Sequence, residues 1–292
     1  MSLYFRKGRV WAWLFGGLLV WWACSSSRQT ESNPYASAQT QPTRGDWVII
    51  HNLSDPDQLN PTNYQGADAG YILGNIFMTL LTVDPRDTNF PYVPALAKDL
   101  PEISPDGMRF TFEIHPAATW DNGTPVTGED FAFSVKVIKN PLVDCPQLRP
   151  YYEFVKDVTI DPKNPRRFVV LTGQKYMLAL SSLGTLFVLP RYIYDPENLM
   201  GRYTIPQLNE MGDKLRNDPN IQKFARRYNA MQREPEHIVG CGPYVLERWE
   251  TGQQVILRRK PRWWADTLSG IAYEAYPDKL IYKVVNDPNT AI

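Results

Sequence analysis

A strand, a tight turn and a capped helix follow one another in the middle of the chain, and this order constrains the fold more than any other feature. Residues 109–114 alternate polar and apolar side chains, which predicts a half-buried strand. Residues 120–124 read WDNGT, and Asn-Gly tolerates the positive φ that a tight turn needs. Thr127 and Asp130 have the spacing of a capping box, so a helix should begin after Thr127 and end before Pro141.

The other apolar segments predict a mixed α/β protein, because strands and helices alternate irregularly and no fixed repeat is present. The predicted strands are residues 47–50, which read as buried, and residues 154–160, 167–171, 186–189, 244–250, 254–259 and 279–285. The predicted helices are residues 71–81, 176–182 and 213–232, the last of them amphipathic and broken near Pro219.

Composition excludes several classes of function. The 292 residues include 31 Lys+Arg and 31 Asp+Glu, and this balance argues against nucleic acid as a partner. Hydrophobic residues make up 43%, so the chain is globular, and its length suggests about two domains. Three His and three Cys are too few for a zinc ribbon or a disulfide scaffold, and no GxSxG, P-loop or GxGxxG motif is present. We therefore expect no catalytic residue, metal or cofactor.

The N-terminal residues predict export. Basic residues precede an apolar run, residues 10–23, which is too short for an ordinary membrane span and fits a signal peptide over residues 1–23. Cys24 follows a small residue, an arrangement that resembles the lipobox of a bacterial lipoprotein, in which the thiol carries lipid. A plain signal peptide or an uncleaved anchor stays open. Residues 24–45 are rich in Ser, Gln, Thr and Pro and predict a flexible tether.

Four separated stretches resemble one family, the extracytoplasmic solute-binding proteins of oligopeptide and dipeptide ABC transporters, known as family 5. The stretches lie within residues 58–61 (QLNP), 94–112, 120–131 and 240–264, the last of which contains GCGPY and PRWW. The resemblance runs from about residue 47 to the end of the chain, except for residues 201–236, which look like an insertion or a divergent stretch.

The resemblance implies a periplasmic-binding-protein-like II fold, in which two lobes enclose a ligand. Domain I would comprise residues 46–70 and 184–292, and domain II, residues 71–183, would be inserted into it. Family members are longer than this chain, so the fold is expected to be incomplete, with the second lobe missing.

The same resemblance implies the substrate-binding component of an ABC transporter, a monomeric lipoprotein in the periplasm or at the cell surface. It would capture peptides or similar extended solutes without catalysis and deliver them to a membrane permease. Two alternatives stay open from the residues alone. One is a secreted hydrolase that uses two carboxylates, and the other is a surface lipoprotein that senses a peptide or docks to a partner.

The resemblance also places ligand-facing residues. Tyr64, Gln65, Gly66 and Ala67 would face the ligand main chain, because Gly66 permits close approach and extended backbone can pair with a peptide as an added strand. An ordinary surface loop is the alternative. His51, expected in the loop after the first strand, is a further candidate for the cleft wall.

The remaining cysteines and tryptophans have structural interpretations. Cys145 and Cys241 are expected to be free thiols, although an oxidising compartment permits a disulfide between them. Five tryptophans are expected to pack in the core or in turns, and stacking platforms for a ligand are the alternative. They are Trp47, Trp120, Trp249, Trp263 and Trp264.

Overall fold

The computed structural model describes residues 42–286. The predicted signal peptide and the predicted lipid attachment at Cys24 lie outside the described residues, as does most of the predicted tether.

The last residues of the predicted tether, 24–45, contact the folded part of the chain. The Arg44 guanidinium pairs with the Asp266 carboxylate at 3.0 Å. The Gly45 N–H donates a hydrogen bond to the carbonyl oxygen of Tyr276 at 3.1 Å. The folded part has therefore begun by Arg44, slightly before the expected start at Asp46.

Short helices and strands alternate along the described residues. The strands are β1 (Trp47–Asn52), β2 (Leu81–Val83), β3 (Tyr92–Pro94), β4 (Glu102–Ile103), β5 (Arg109–Glu113), β6 (Val155–Asp161), β7 (Asn164–Thr172), β8 (Tyr244–Glu250), β9 (Gln254–Arg259) and β10 (Lys279–Val284). The α-helices are α1 (Ala67–Ile76), α2 (Gly128–Lys139), α3 (Ala179–Gly184), α4 (Arg191–Tyr194), α5 (Ile205–Met211) and α6 (Pro219–Ala230). Short 3-10 helices lie at Arg149–Tyr152, Met200–Arg202, Gly212–Asn217 and Ile271–Tyr273.

One sheet, which we call the first sheet, joins the two ends of the described chain. Its strand order is β1-β10-β9-β8. β1 lies parallel to β10, with Trp47 opposite Lys279, and the other neighbours are antiparallel. The hairpin of β8 and β9 has the predicted bounds, because Gly252 supplies the positive φ (73°) of its turn.

A second sheet, which we call the middle sheet, has the antiparallel order β4-β5-β7-β6. Helix α2 packs on it through aromatic rings, with Phe131 stacked on Phe168 at 4.9 Å between ring centroids and Phe168 stacked on Phe112 at 5.8 Å. At the start of α2 the Asp130 carboxylate accepts a hydrogen bond from the Thr127 N–H at 2.9 Å. The predicted strand, capping box and helix are confirmed.

The division into domain I (residues 46–70 and 184–292) and inserted domain II (residues 71–183) stays a prediction.

Several predictions about single elements are wrong. Residues 47–50 form a strand, but Trp47 is 63% exposed and Ile49 is 59% exposed, so the expected burial of this strand is wrong. The predicted helix over residues 71–81 begins and ends earlier, as α1, because Phe77 adopts extended backbone. Residues 186–189 form a single bridge between Phe187 and Thr79 and no strand.

Four of the five tryptophans pack as expected, and one does not. Trp120 and Trp263 are buried, and Trp249 and Trp264 are half-buried against the core, which confirms the expected packing. Trp47 is exposed, so the expectation of core or turn packing is wrong for that residue.

One of the stretches that carry the family resemblance, residues 240–264, contacts the carboxyl end of α1. The Gly242 N–H donates to the carbonyl oxygen of Ile76 at 2.9 Å, and a Cβ on Gly242 would lie 2.7 Å from that oxygen. The indole N–H groups of Trp263 and Trp264 both donate to the carbonyl oxygen of Cys241, at 2.8 and 2.9 Å. Close backbone approach therefore requires glycine before β8, and two indoles fix the loop.

An ion pair between a buried lysine and a partly exposed aspartate links this loop to the turn before α2. The Lys260 ammonium pairs with the Asp121 carboxylate and donates to the carbonyl oxygen of Gly240 at 2.7 Å, and its side chain is 8% exposed. The Asp121-Asn122-Gly123 turn therefore acts as a hairpin turn that also neutralises a buried cation.

Candidate functional site

The segment expected to face a ligand lies between the turn at Asn60 and helix α1. Tyr64 and Gly66 are half-buried, whereas Gln65 and Ala67 are exposed. Gly66 is the N-cap of α1 and has extended backbone, with φ −77° and ψ 139°. Ala67 is already the first helical residue, so the expectation of extended backbone throughout is wrong at that position.

The Asp57 carboxylate holds this segment from outside. Its two oxygens accept hydrogen bonds from the N–H groups of Gln65 (3.1 Å) and Gly66 (3.3 Å). A carboxylate at this point also faces the positive end of the α1 dipole, which stabilises it. These two N–H groups are occupied, so a peptide main chain would have to use other groups of the segment.

Other contacts determine which main-chain groups stay free. The Tyr64 N–H donates to the carbonyl oxygen of Asn60 at 3.3 Å, and the Tyr64 carbonyl accepts from Nε2 of Gln147 at 3.3 Å. Within residues 42–286, the carbonyl of Gln65 and the N–H of Ala67 have no hydrogen-bond partner. Both groups belong to exposed residues and can bind an incoming molecule.

A cavity of about 490 Å³ opens beside the segment. Its lining residues are Thr62, Tyr64, Gln65, Pro146, Gln147 and Leu148. Burial raises the pKa of the Tyr64 phenol, so its hydroxyl stays protonated and can donate a hydrogen bond. Amide and hydroxyl groups next to proline and leucine, with no charged side chain, suit an uncharged and partly apolar group.

His51 lies apart from this cavity. It belongs to strand β1, so its expected place in the loop after the strand is wrong. Its Nε2 atom lies 2.7 Å from the carbonyl oxygen of Val285, just after β10. The ring therefore contacts the first sheet and is absent from the lining of the cavity next to Tyr64.

A larger cavity, of about 710 Å³, lies beside the start of α2 and bears on the hydrolase alternative. The carboxylates of Asp130 and Asp195 line it, and burial raises the pKa of both. Asp195 accepts hydrogen bonds from the N–H groups of Leu199 and Met200, at 2.7 and 2.8 Å. Asp130 caps α2. Both carboxylates therefore stabilise helical turns, which is a structural role.

Metal and thiol chemistry receive no support in the described part of the chain. No group of three or more His, Cys, Asp and Glu side chains there could hold a metal ion. Cys145 and Cys241 are both buried and unbridged, which confirms the expected free thiols. Burial raises their pKa values to about 11 and about 12. Across residues 42–286 no helix has the length and apolar character that a membrane span requires.

Sequence reasoning missed two residues that shape the site. Asp57 lies close to the QLNP motif in sequence, and a carboxylate shortly before a helix start is a usable signal for capping. Gln147, which binds the carbonyls of Thr62 and Tyr64 at 3.1 and 3.3 Å, is far away in sequence and carries no local signal.

Comparison with known proteins identifies the family. The model for "Bacterial extracellular solute-binding proteins, family 5 Middle" matches residues 91–292, which is more than half of the chain. The chain belongs to family 5 of the bacterial extracellular solute-binding proteins. The resemblance read from the sequence is confirmed.

The family 5 relatives with curated names are distant in sequence. Protein XP55 of Streptomyces lividans is 28% identical over 219 residues, covering 75% of this chain and 33% of the relative. The periplasmic oligopeptide-binding protein OppA of Escherichia coli (strain K12) is 23% identical over 233 residues, covering 78% and 38%. The dipeptide-binding protein DppE of Bacillus subtilis (strain 168) is 26% identical over 267 residues, covering 85% and 41%. The chain therefore spans less than half the length of these relatives.

Solved structures establish the fold of this family 5 chain. The oligopeptide-binding protein AppA from Bacillus subtilis, in complex with a nonapeptide, matches with a TM-score of 0.61 and 19% identity, covering 86% of this chain and 42% of that chain. The periplasmic EDTA-binding protein EppA matches with a TM-score of 0.62 and 20% identity, covering 86% and 41%. The chain is part of a periplasmic-binding-protein-like fold of the mixed α/β class, as expected.

Proposed function

We propose that this chain is part of a substrate-binding protein that captures a peptide or a similar extended solute for an ABC permease, without catalysis. The observation that carries the proposal is the pair of free main-chain groups, the Gln65 carbonyl and the Ala67 N–H, beside an uncharged cavity. The names of OppA, DppE and AppA support a peptide, whereas EppA is named for EDTA, so the fold alone does not specify a peptide.

Strand pairing explains why these two groups suit a peptide. Gly66 has extended backbone, although Ala67 begins α1, and an extended residue directs the carbonyl before it and the N–H after it to the same side. The Gln65 carbonyl and the Ala67 N–H flank Gly66, which has no side chain to block approach. A peptide can therefore donate to Gln65 and accept from Ala67, as in an added strand. Its side chains would then reach the cavity beside Tyr64 and Gln147.

Perturbation of main-chain NMR signals by trialanine tests the proposal. Because the chain spans 38% of OppA, we propose that the enclosing surface is incomplete and that binding is weak, at about millimolar strength. Trialanine should shift the amide signals of residues 64–67 and the side-chain amide of Gln147. Trialanine with methylated peptide nitrogens, which cannot donate to Gln65, is the matched control and should not. Equal shifts with both probes, or shifts confined to the cavity at Asp130, would refute the proposal.

We also propose export and a lipid anchor on Cys24, with the protein monomeric in the periplasm or at the cell surface. The apolar run over residues 10–23 and the small residue before Cys24 support this. Metabolic labelling with palmitate should mark the wild-type chain and Cys145→Ser, but not Cys24→Ser. Label that persists in Cys24→Ser would contradict the anchor.

A further inference from the structure

We infer that the carboxyl end of α6 positions the ligand-facing segment, residues 64–67, and that Asn60 is the positioning residue through which it acts. The inference deepens the proposed function and rests on it. Residues 201–236, which include α6, lie outside the four stretches that carry the family resemblance, so the structure gives this stretch a role that the resemblance does not.

Asn60 joins α6 to the turn before the site. Its side chain is fully buried, and Nδ2 donates to the carbonyl oxygens of Tyr228 (2.9 Å) and Met231 (3.1 Å). The Tyr228 carbonyl also accepts from the Met231 N–H at 3.2 Å, so Asn60 adds a second donor there. For the Met231 carbonyl, just after α6, Asn60 supplies a donor where the end of a helix offers none.

The other end of the Asn60 side chain organises the turn itself. Oδ1 accepts hydrogen bonds from the N–H groups of Thr62 (3.1 Å) and Asn63 (3.2 Å). Asn60 therefore uses both its donor and its acceptor atoms. Thr62 and Asn63 come just before Tyr64 in the chain. A displacement of Asn60 therefore also displaces the start of the segment 64–67.

Further bonds between the same two segments fix their orientation. The Thr62 hydroxyl donates to the Tyr228 hydroxyl at 2.9 Å, and Nδ2 of Asn63 donates to Oδ1 of Asn229 at 3.1 Å. Tyr228 is completely buried and stacks on Phe224 at 5.5 Å between ring centroids. The end of α6 is thus a rigid part of the core, and the turn is the part that it orients.

Arg233, three residues after the end of α6, also contacts the residues that hold the site. The Arg233 guanidinium lies 4.5 Å over the Trp249 ring and donates to the carbonyl oxygen of Asp57 at 3.4 Å. The Asp57 carboxylate in turn holds the N–H groups of Gln65 and Gly66. The segment is therefore connected to the region of α6 by two routes, through Asn60 and through Arg233 with Asp57.

The substitution Asn60→Asp separates these roles. The carboxylate keeps an acceptor for Thr62 and Asn63, but it places a second oxygen against the carbonyls of Tyr228 and Met231, which repel it. Near pH 7.5 the amide signals of residues 65–67 should move, and their hydrogen exchange should quicken by about tenfold. Burial raises a carboxyl pKa, so near pH 5.5 the protonated acid can donate again and the wild-type signals should return.

A matched control and a milder variant distinguish displacement of residues 65–67 from a general loss of stability. Asn140 is also fully buried, accepts from the Leu142 N–H at 2.9 Å and donates to the Ile221 carbonyl of α6 at 3.4 Å. Asn140→Asp should weaken folding but leave the signals of residues 65–67 in place. If Asn60→Asp does not fold, Tyr228→Phe removes one bond to Thr62 and should shift the same signals to a smaller extent.

The outcomes distinguish this inference from the proposed function. The inference about α6 is tested on the ligand-free chain. It is overturned if the signals of residues 65–67 are unchanged in both Asn60→Asp and Tyr228→Phe, or if Asn140→Asp shifts them equally. A wild-type chain that ignores trialanine would refute the proposed function instead. If the inference and the proposed function are both correct, the affinity for trialanine should fall about tenfold in Asn60→Asp near pH 7.5 and recover near pH 5.5.

Discussion

Lys139 is a cationic side chain that the fold has largely removed from water. It lies in the last turn of α2, where its ammonium donates to the carbonyl oxygen of Tyr152 at 3.0 Å and to Oδ1 of Asn209 at 2.6 Å. Burial and, to a smaller extent, the positive charge of Lys156 lower its pKa from 10.5 to about 8. Its proton is therefore held less tightly in the folded chain than in the unfolded chain.

The pKa of Lys139 predicts a pH dependence of stability. Between pH 8 and 10.5 the unfolded state binds more protons at this residue, so the free energy of unfolding rises with pH. From about pH 7.5 to about pH 9.5 the contribution should be about 1–2 kcal/mol, and Lys139→Met should abolish it. Urea unfolding at intervals across this range measures the effect. Lys214→Met, at an exposed lysine, is the control, and a rise that persists in Lys139→Met contradicts the prediction.

At the scale of single residues the sequence predicts local roles and misses distant ones. Gly66 was expected to permit close approach of a ligand, and that role stays a prediction; the structure places it at the start of α1. The partners that hold the segment in place, Gln147 and the carbonyls of Tyr228 and Met231, are far from it along the chain. Such contacts depend on how whole elements pack, and no local pattern encodes them.

The junction between α1 and the loop before β8 depends on close approach of two backbones. At Gly242 an added Cβ would lie 2.7 Å from the Ile76 carbonyl oxygen, which cannot move without disturbing the end of α1. At Gly74, on the exposed side of the same helix, an added Cβ would meet nothing within 4 Å. A side chain at Gly242 would therefore collide with α1, whereas a side chain at Gly74 would have free space.

Alanine at these two positions should change stability in opposite directions. Gly242→Ala should lower the free energy of unfolding by about 1–3 kcal/mol, because the methyl group overpacks the junction. Gly74→Ala should raise it by about 0.5–1 kcal/mol, because alanine favours a helix interior. Chemical denaturation of both variants beside the wild type tests this, and a neutral Gly242→Ala would show that the junction can relax.

Elements whose ends are set by a turn or a helix cap were predictable from sequence. Burial and strand pairing, which depend on neighbouring elements, were not. The turn at Gly252 and the capping box at Asp130 fix β8, β9 and α2, and all three were expected. The apolar run at residues 47–50 predicted a strand, but its burial depends on what packs against each face of the sheet, which the run itself does not encode. Residues 186–189 are apolar because they are buried, not because they pair as a strand.

Cys145 and Cys241 report on the molecule as a whole, because they lie in different predicted domains and both are buried. Their raised pKa values and burial should make them inert to thiol reagents in the native state. In a Cys24→Ser background, Ellman's reagent should detect almost no thiol without urea, and both should react across one transition. Mass spectrometry of the labelled peptides assigns each thiol. Two separate transitions would contradict a single cooperative unit and favour independent domains.

The parallel pairing of β1 with β10 has a consequence for how the molecule is made. Nearly the whole described chain separates these two strands, whereas β4 to β7 form their sheet from neighbouring segments. Contacts between distant segments form slowly, because a long loop must close first. During synthesis β1 emerges before β10, so β1 has no strand partner until β10 has been made. If synthesis stops or a protease cuts the chain in that interval, the product is a partly folded intermediate in which β1 is still unpaired.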